Sequence, residues 1–402
     1  MGMPEPPDAA PAVELARRPQ QRLLAWLLRE AYPLWSAAGV DAKRGAFVEA
    51  LDQHGVSPGI PCRARVPARQ IYAFALAPAL GWRGPAASLV ERGLHCFITD
   101  YRRSDGLFRT LVAADGTVLD DSATLYDQAF ALLAFAATQR LMPDDSRWED
   151  AAQALLAAVQ RELQREGLGF DSGLPDRTPL QSNPHMHLFE ACLAWARVSA
   201  QSTWRRVANE IAALALDRFV DPVSGCIHER FAADWLRARE EAARIIEPGH
   251  QFEWAWLLLS WADETWSSDR RADAVRAAFR LIEIGESAGV QGGVVVDALW
   301  DDLSLHDRGA RLWPQTERLK AAALAARITG RDAHWLAAVS AAQGLERYLT
   351  TRLPGLWRDR MTPTGAFQVG PAPAGNLYHI VAAIRAFTEA LQPDAPPPGF
   401  GS

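Results

Sequence analysis

The chain is poor in cysteine and has no surplus of positive charge. Its 402 residues include four cysteines, with no C-x-x-C spacing among them: Cys62, Cys96, Cys192 and Cys226. This scatter supports neither a disulfide framework nor a zinc knuckle, and it predicts reduced structural thiols in a cytoplasmic protein. The formal net charge of −6 offers no basic field to nucleic acid or anionic lipid, so neither is expected as a partner.

Long hydrophobic runs and the common cofactor motifs are also missing. No stretch of about 18 uninterrupted apolar residues occurs, so no membrane-spanning helix is predicted. The chain contains no phosphate loop, no G-x-G-x-x-G and no H-E-x-x-H, the motifs that bind nucleotides, dinucleotides and catalytic zinc. We therefore expect an activity that needs neither a cofactor nor a metal ion.

Both ends of the chain have the composition of flexible tails. The N-terminus, MGMPEPPDAAPAVELARR, is rich in proline and alanine and lacks the apolar core of a signal peptide. The C-terminus, PDAPPPGFGS, is similarly poor in helix-forming residues. We predict a single domain over residues 1–402, with flexible ends at about 1–15 and 392–402.

Amphipathic helices account for most of the chain. Apolar residues recur at steps of three and four, which predicts twelve helices, the first at about residues 19–36. Strongly apolar helices begin near residues 66, 123, 183, 249, 313 and 375, roughly 60 residues apart, and alternate with helices that keep a charged face. Short glycine-containing segments of alternating polarity separate the pairs and predict hairpins or extended loops.

A helix pair and a loop, repeated six times, predict a repeat architecture. We expect an all-α fold, an (α/α)6 barrel with the apolar helices inside, the charged helices outside and short β-hairpins or loops at one end. Those loops would surround one central cavity, which is the expected place for a functional site. An open α-solenoid or an irregular helical bundle remains the alternative.

Polar side chains cluster at the beginnings of the apolar helices. Taken singly, each has an ordinary structural explanation, such as a helix cap or a buried histidine with a satisfied hydrogen bond. In a closed ring, however, the helix beginnings converge on one mouth, so their shared position favours a single pocket. The candidate residues are Arg69, Tyr126, Asn183, His187, His250, Glu253, Trp313, Glu317 and His379.

The stretch SNPHMHLFEACLAW contains two histidines that could either bind a metal ion or line the predicted pocket. His185 and His187 lie about 200° apart on a regular helix, so they cannot both ligate one metal ion. Asn183 and His187 are four residues apart and share a face, whereas His185 is assigned a structural role at most. Further along, His250 and Glu253 are three residues apart, and a carboxylate beside an imidazole fixes its tautomer and raises its basicity.

Six short motifs together resemble the N-acylglucosamine 2-epimerase family. They are A-R-Q at Arg69, L-Y-D-Q-A-F, N-P-H-M-H, G-H-x-x-E at His250, W-P-Q-T-E and a final Y-H, and they span roughly residues 26–391. The resemblance implies an (α/α)6 barrel with His250 and His379 as the paired acid/base residues. It further implies assisting or sugar-binding roles for the remaining candidates: Arg69, Asn183, His187, Glu253 and Glu317, with Tyr126 and Trp313 as pocket walls. One departure is Pro373-Ala374-Gly375, where some members carry Gln or Trp.

Within that family the chain is most similar to the mannose isomerases. The expected reaction is a metal-independent aldose–ketose isomerisation of free D-mannose and D-fructose, with D-lyxose and D-xylulose as a second pair. Histidine suits the proton transfers because its pKa lies near the working pH, and Arg69 would stabilise the enediolate. A monosaccharide is the only partner expected, and the choice between monomer and homodimer is open.

Three alternatives accompany this expectation. The first is a 2-epimerase acting on mannose and glucose or on N-acylated hexosamines. The second is an inverting glycoside hydrolase that uses Glu253 and Glu317, which would need carboxyl groups about 6.5–9.5 Å apart. The third is a sugar-binding toroid without catalysis. A phosphorylated substrate is less expected than a free sugar, because the sequence shows no dedicated phosphate-binding nest, although Arg63, Arg65 and Arg69 could form a cationic lip.

Overall fold

Helices dominate the computed structural model, which describes residues 11–264, 266 and 269–392. We number them in chain order, and α1, α7 and α9 each include a π-helical turn. The α-helical bounds are α1 (Ala12–Trp26, with a turn at Leu27–Ala31 and a continuation at Tyr32–Ala37), α2 (Arg65–Leu76), α3 (Ala86–Tyr101), α4 (Leu125–Leu141), α5 (Arg147–Leu163), α6 (Ser182–Val198), α7 (Ser202–Leu214, with a turn at Ala215–Phe219), α8 (Pro248–Ala262), α9 (Arg271–Ile284, with a turn at Gly285–Gly289), α10 (Leu312–Thr329), α11 (Asp332–Leu349) and α12 (Asn376–Ala390).

The even-numbered helices form a closed inner ring. Each packs against the even-numbered helices on either side, and α12 packs against α2 to complete the circle. The odd-numbered helices form the outer layer, where each covers its inner partner. The predicted all-α (α/α)6 barrel is confirmed, and the open solenoid is excluded because the last inner helix contacts the first.

Burial separates the two layers as the sequence pattern predicts. Inner helix α4 is buried on nearly every side between Leu125 and Gln139. Outer helix α5 buries one apolar face, including Leu155 and Val159, and leaves its charged residues to solvent. Helices with a charged face therefore lie in the outer layer, and helices without one lie in the inner ring.

The first helix begins earlier than predicted. It starts at Ala12 rather than near residue 19, and Pro19 lies inside it as a buried residue. Proline favours a helix start in sequence-based reasoning, but here Ala12, Ala16 and Leu23 pack against the core and extend the helix. Residues 12–15 of the predicted flexible end therefore belong to α1, while residues 1–10 and 393–402 lie outside the described residues.

Short antiparallel strands connect the repeats at one end of the barrel. Their bounds are β1 (Ala50–Leu51), β2 (Cys62–Arg63), β3 (Leu111–Val112), β4 (Val118–Asp120), β5 (Ala123–Thr124), β6 (Gly173–Leu174), β7 (Leu180–Gln181), β8 (Arg230–Phe231), β9 (Ile245–Ile246), β10 (Val290–Gln291), β11 (Val294–Val295), β12 (Ala298–Trp300), β13 (Leu305–Asp307), β14 (Ala310–Arg311), β15 (Arg360–Met361) and β16 (Ala372–Pro373).

The strand that precedes each inner helix pairs with a strand that follows the next outer helix. The pairs are β2–β3, β5–β6, β7–β8, β9–β12, β14–β15 and β16–β1. The last of these joins the final repeat to the first. In addition, β4 extends β3, β13 extends β12, and β10 pairs with β11.

A repeated side-chain clamp ties these loops to the inner helices. Gln128 accepts a hydrogen bond from the backbone N–H of Phe108 at 2.7 Å and donates to two carbonyls, one of them four residues earlier in the chain. Gln251 and Gln315 make the same set of contacts in their own repeats. Three inner helices thus hold the preceding loop through the same glutamine position.

His185 occupies that clamp position in α6. Its Nε2 accepts from the backbone N–H of Phe170 at 3.0 Å, and its Nδ1–H donates to the carbonyl of Gln181 at 2.8 Å. Burial lowers the pKa of His185 to about 4, so the ring is neutral at pH 7. The ring takes the place of a glutamine and does not line the central cavity.

We expect His185→Ala to lower the free energy of unfolding by about 2 kcal/mol, because it leaves the buried N–H of Phe170 unsatisfied. His185→Gln should cost much less, since glutamine fills this position in the neighbouring repeats. Urea denaturation at pH 7 measures both values. Equal losses for the two variants would contradict the clamp.

Candidate active site

One cavity of about 670 Å³ lies at the end of the barrel where the inner helices begin. Eight of the nine candidate residues line it: Arg69, Tyr126, Asn183, His187, His250, Glu253, Trp313 and His379. The N-terminal ends of six helix dipoles therefore face the cavity, which favours negative charge there.

Glu317 is the ninth candidate, and its predicted contact with sugar is corrected by the structure. Its side chain is fully buried and is absent from the cavity lining. Its Oε1 lies 2.8 Å from Nδ1 of His379, and its Oε2 lies 2.7 Å from Nζ of Lys320. Both carboxylate oxygens are thus occupied behind the cavity wall.

His379 is held as a neutral imidazole. Burial is the largest influence on the ring and lowers the pKa of His379 to about 4, although the Glu317 carboxylate acts in the opposite direction. In the neutral ring, Nδ1–H donates to Glu317. Nε2 is left as the nitrogen with a free lone pair, so His379 is equipped to accept a proton.

His250 is held in the opposite state. Its Nδ1 lies 3.0 Å from Oε1 of Glu229. Burial disfavours the charged ring, but the carboxylates of Glu229 and Glu247 outweigh burial and raise the pKa of His250 to about 9. His250 is therefore an imidazolium at neutral pH, equipped to donate a proton. The partner that orients this ring is Glu229, not the predicted Glu253.

Trp313 contacts both histidines. The centroid of its indole ring lies 5.0 Å from that of His250 and 5.8 Å from that of His379. A Cβ atom added at Gly249 would lie 2.5 Å from the indole, so the glycine is required for this close approach. The P-G-H sequence thus lets one aromatic wall pack against both a proton donor and a proton acceptor.

Arg69 brings an uncompensated positive charge to the same cavity. The residue is 9% exposed, and its Nη2 donates to the hydroxyl of Tyr126 at 2.7 Å. Its guanidinium lies 4.1 Å from the ring centroid of Phe130. Within the described part of the chain, no carboxylate forms an ion pair with Arg69. A buried cation without a counter-ion provides a place for a negatively charged oxygen.

His187 and Asn183 complete the wall formed by α6. The ring of His187 lies 4.8 Å from that of Tyr126, and burial lowers the pKa of His187 to about 3. Its Nδ1 is 3.5 Å from Oε2 of Glu190. The buried Oδ1 of Asn183 has no hydrogen-bond partner among the described residues. Both side chains are therefore neutral groups that can hydrogen-bond a bound molecule.

A compact charge network lies behind these residues. In the described chain, two groups have donor atoms close enough to hold a metal ion, with all atoms of a group within 4.8 Å: His187, Glu190 and Glu253, and Glu253, Glu317 and His379. Burial and the Glu317 carboxylate hold the pKa of Glu253 well above its usual range, which favours the protonated form of its carboxyl group. The Lys320 ammonium already neutralises Glu317. The absence of a metal requirement stays a prediction.

The hydrolase alternative conflicts with this geometry. One oxygen each of Glu253 and Glu317 lies within 4.8 Å of the other, whereas an inverting hydrolase separates its carboxyl groups by about 6.5–9.5 Å to admit water. In addition, Glu317 does not reach the cavity.

Four charged residues near the site were not predicted from the sequence: Glu190, Glu229, Glu247 and Lys320. Glu190 and Lys320 could have been identified, because a charged residue within a strongly apolar helix needs a polar partner. The sequence contains no comparable signal for Glu229. It lies in a loop 21 residues from His250, and only the tertiary fold brings them together.

Comparison with known proteins agrees with this fold. The sequence profile of the N-acylglucosamine 2-epimerase family matches residues 45–383, and the chain belongs to that family. It is 43% identical over 378 residues to a mannose-6-phosphate isomerase of Rhizobium meliloti (strain 1021), covering 92% of this chain and 97% of the relative. It is 28% identical over 401 residues to a D-mannose isomerase of Thermobifida fusca, covering 90% and 93% of the two chains.

A solved structure has the same fold. The cellobiose 2-epimerase from Spirochaeta thermophila DSM 6192 superimposes with a TM-score of 0.83 at 19% sequence identity, covering 96% of this chain and 99% of that one. Together with the family membership, these relatives make the protein an isomerase with a sugar substrate. The non-catalytic alternative is thereby excluded. None of the described helices is long and apolar enough to cross a membrane.

We expect Glu229→Gln to lower the pKa of His250 by at least about one unit, because the variant removes the carboxylate next to the ring. NMR titration of 13C-labelled histidine measures the shift. The matched control is Glu210→Gln, which removes a surface carboxylate paired with Arg206 and should leave His250 unchanged. A wild-type His250 that titrates near 6.5, the usual value for histidine, would contradict the assignment.

Proposed function

We propose that the protein is an aldose–ketose isomerase that interconverts D-mannose and D-fructose. The observation that supports this most directly is that one cavity holds two histidines, both in contact with Trp313, whose surroundings shift their pKa values in opposite directions: up to about 9 for His250 and down to about 4 for His379. Isomerisation through an enediolate needs a base at carbon and an acid at oxygen at the same time. Environments that push two pKa values apart supply both.

The proton on carbon is assigned to His379. In the open-chain aldose, the C1 carbonyl acidifies the hydrogen on C2, and Nε2 of His379 removes it. Glu317 orients the ring through Nδ1 and stabilises the imidazolium that forms. Return of the same proton to C1 gives the ketose. The base thus ends the cycle in its starting state.

The protons on oxygen are assigned to His250. Its imidazolium donates a proton to O1 of the enediolate, which gives the neutral enediol, and recovers one from O2 as the ketose carbonyl forms. Before O1 is protonated, Arg69 stabilises the negative charge on the enediolate oxygens through its uncompensated guanidinium. His187 is neutral, and in ring opening it accepts the proton of the O1 hydroxyl and returns it to the ring oxygen. Asn183, Tyr126 and Glu253 hold the sugar hydroxyls.

A 2-epimerase is the alternative within the same chemistry. If the proton were returned to C2 from the opposite face, the product would be the C2 epimer rather than the ketose. The names of the two relatives, a mannose-6-phosphate isomerase and a D-mannose isomerase, support isomerisation over epimerisation.

Mannose 6-phosphate is a second candidate substrate. Arg63 and Arg65 lie on the cavity rim at β2 and α2, three inner helices around the ring from His250. Each pairs with a carboxylate, Glu49 and Asp127 respectively, yet a guanidinium keeps further donors that suit phosphate. The relative with 43% identity is named for the phosphorylated sugar, which supports this candidate.

We expect incubation with mannose in D2O to yield fructose, with deuterium at C1 where the proton exchanges with solvent. His379→Asn should lower kcat by about 10²–10⁴-fold, since the general base is lost. His185→Gln is the control histidine and should retain activity, because its ring lies outside the cavity. NMR of the products gives their identity and the position of the label.

The same incubation with mannose 6-phosphate ranks the two substrates by kcat/KM. A higher value for the phosphorylated sugar would replace free mannose as the substrate without changing the chemistry. Formation of glucose without fructose would contradict the isomerase and favour the epimerase.

A further inference from the structure

A buried lysine stands behind the catalytic histidines and touches no part of the cavity. Lys320 is fully buried in α10, and its Nζ lies 2.7 Å from Oε2 of Glu317. The same ammonium lies 4.0 Å from the ring centroid of Trp256. Burying an ammonium group is costly unless it is paired, and the proposed proton transfers do not use it directly.

We propose that Lys320 is a positioning residue for His379, acting through Glu317. The lysine anchors one carboxylate oxygen of Glu317, and the other oxygen orients the imidazole. The three groups form a continuous chain, ammonium to carboxylate to imidazole, that ends at the cavity. This inference rests on the proposed role of His379 as the base.

The anchoring contact is rigid because both sides of it are enclosed. Glu317 and Lys320 are three residues apart on α10, and both side chains are fully buried. Trp256 on α8 covers the ammonium through a cation–π contact. Little freedom remains for the carboxylate to rotate, so Nδ1 of His379 has one partner in one orientation.

Lys320 also balances the charges that converge on it from neighbouring helices. Glu317 belongs to its own helix, Glu253 approaches from α8 and Glu190 from α6, and all three act on its charge. The fourth neighbour, α12, contributes His379 and Tyr378, whose hydroxyl donates to Glu190. Without the lysine, Glu317 would lose the ammonium that pairs with it, and Glu190 would lose one of the groups that lower its pKa.

The ammonium also disfavours protonation of His379. Burial is the main reason that the pKa of His379 is low, and the positive charges of Arg69 and Lys320 act in the same direction. Lys320 likewise helps to lower the pKa of Glu317 to about 2 against the effect of burial. Loss of the lysine should therefore raise the apparent pKa of the Glu317–His379 pair.

The test is Lys320→Met, which retains the length of the side chain and removes its charge. We expect the acid limb of the kcat/KM profile to move up by one pH unit or more from about 4, the pKa of His379. KM at pH 8 should change little, because Lys320 does not contact the cavity. Lys320→Arg restores the charge and should return the limb toward its original position.

Arg318→Met is the matched control. Arg318 lies on the same helix, is 4% exposed and pairs with Glu286 on the outer side of the barrel. This variant also removes a buried cation and should lower the thermal midpoint, but it should not move the acid limb. If Lys320→Met only destabilised the protein to the same degree and left the limb in place, the positioning role would be overturned.

Two further measurements keep the test decisive. If Lys320→Met does not fold, the double variant Lys320→Met/Glu190→Gln removes one positive and one negative charge together and should show the same shift of the limb. NMR titration of His379 reports its pKa without turnover. A wild-type protein that is inactive on both mannose and mannose 6-phosphate would refute the proposed function, whereas an unchanged His379 titration in the lysine variant would refute this inference alone.

Discussion

Closure of the inner ring is the constraint on which the site depends. When α12 packs on α2 and β16 pairs with β1, the N-terminal ends of all six inner helices meet at one mouth. Residues that are roughly 60 positions apart in sequence then share a cavity, and the positive ends of the helix dipoles face it. The helix dipoles alone therefore stabilise the negative charge of an enediolate formed in this cavity.

In this cavity, His379 and His250 have opposite protonation states because the charges around their carboxylate partners differ. Glu317 beside His379 favours the charged form of the ring, but burial outweighs it, and the Lys320 ammonium that pairs with Glu317 acts in the same direction as burial. Glu229 and Glu247 beside His250 together outweigh burial, although Arg311 pairs with Glu247. A lysine that never touches substrate thus helps to decide which histidine is the base.

Much of the fold and part of the site could be predicted from the sequence. The helical period, the repeat and the polar residues at helix beginnings are local signals, and they identified eight residues that line one cavity. The start of α1 was missed because packing against the core outweighed the signal of Pro19. Glu229 was missed because its contact with His250 exists only in the folded chain. His185 is explained only by alignment with Gln128, Gln251 and Gln315 across the repeats.

The pH dependence of kcat/KM for mannose tests the central claim most directly, because it reports the ionisations of the free enzyme. His379 must be neutral, so activity should fall as the pH drops through about 4, the pKa of His379. His250 must be protonated, so activity should fall as the pH rises through about 9, the pKa of His250. The account predicts a broad plateau between these limbs. A profile that rises through a single limb near 6.5, the unperturbed histidine value, would contradict it.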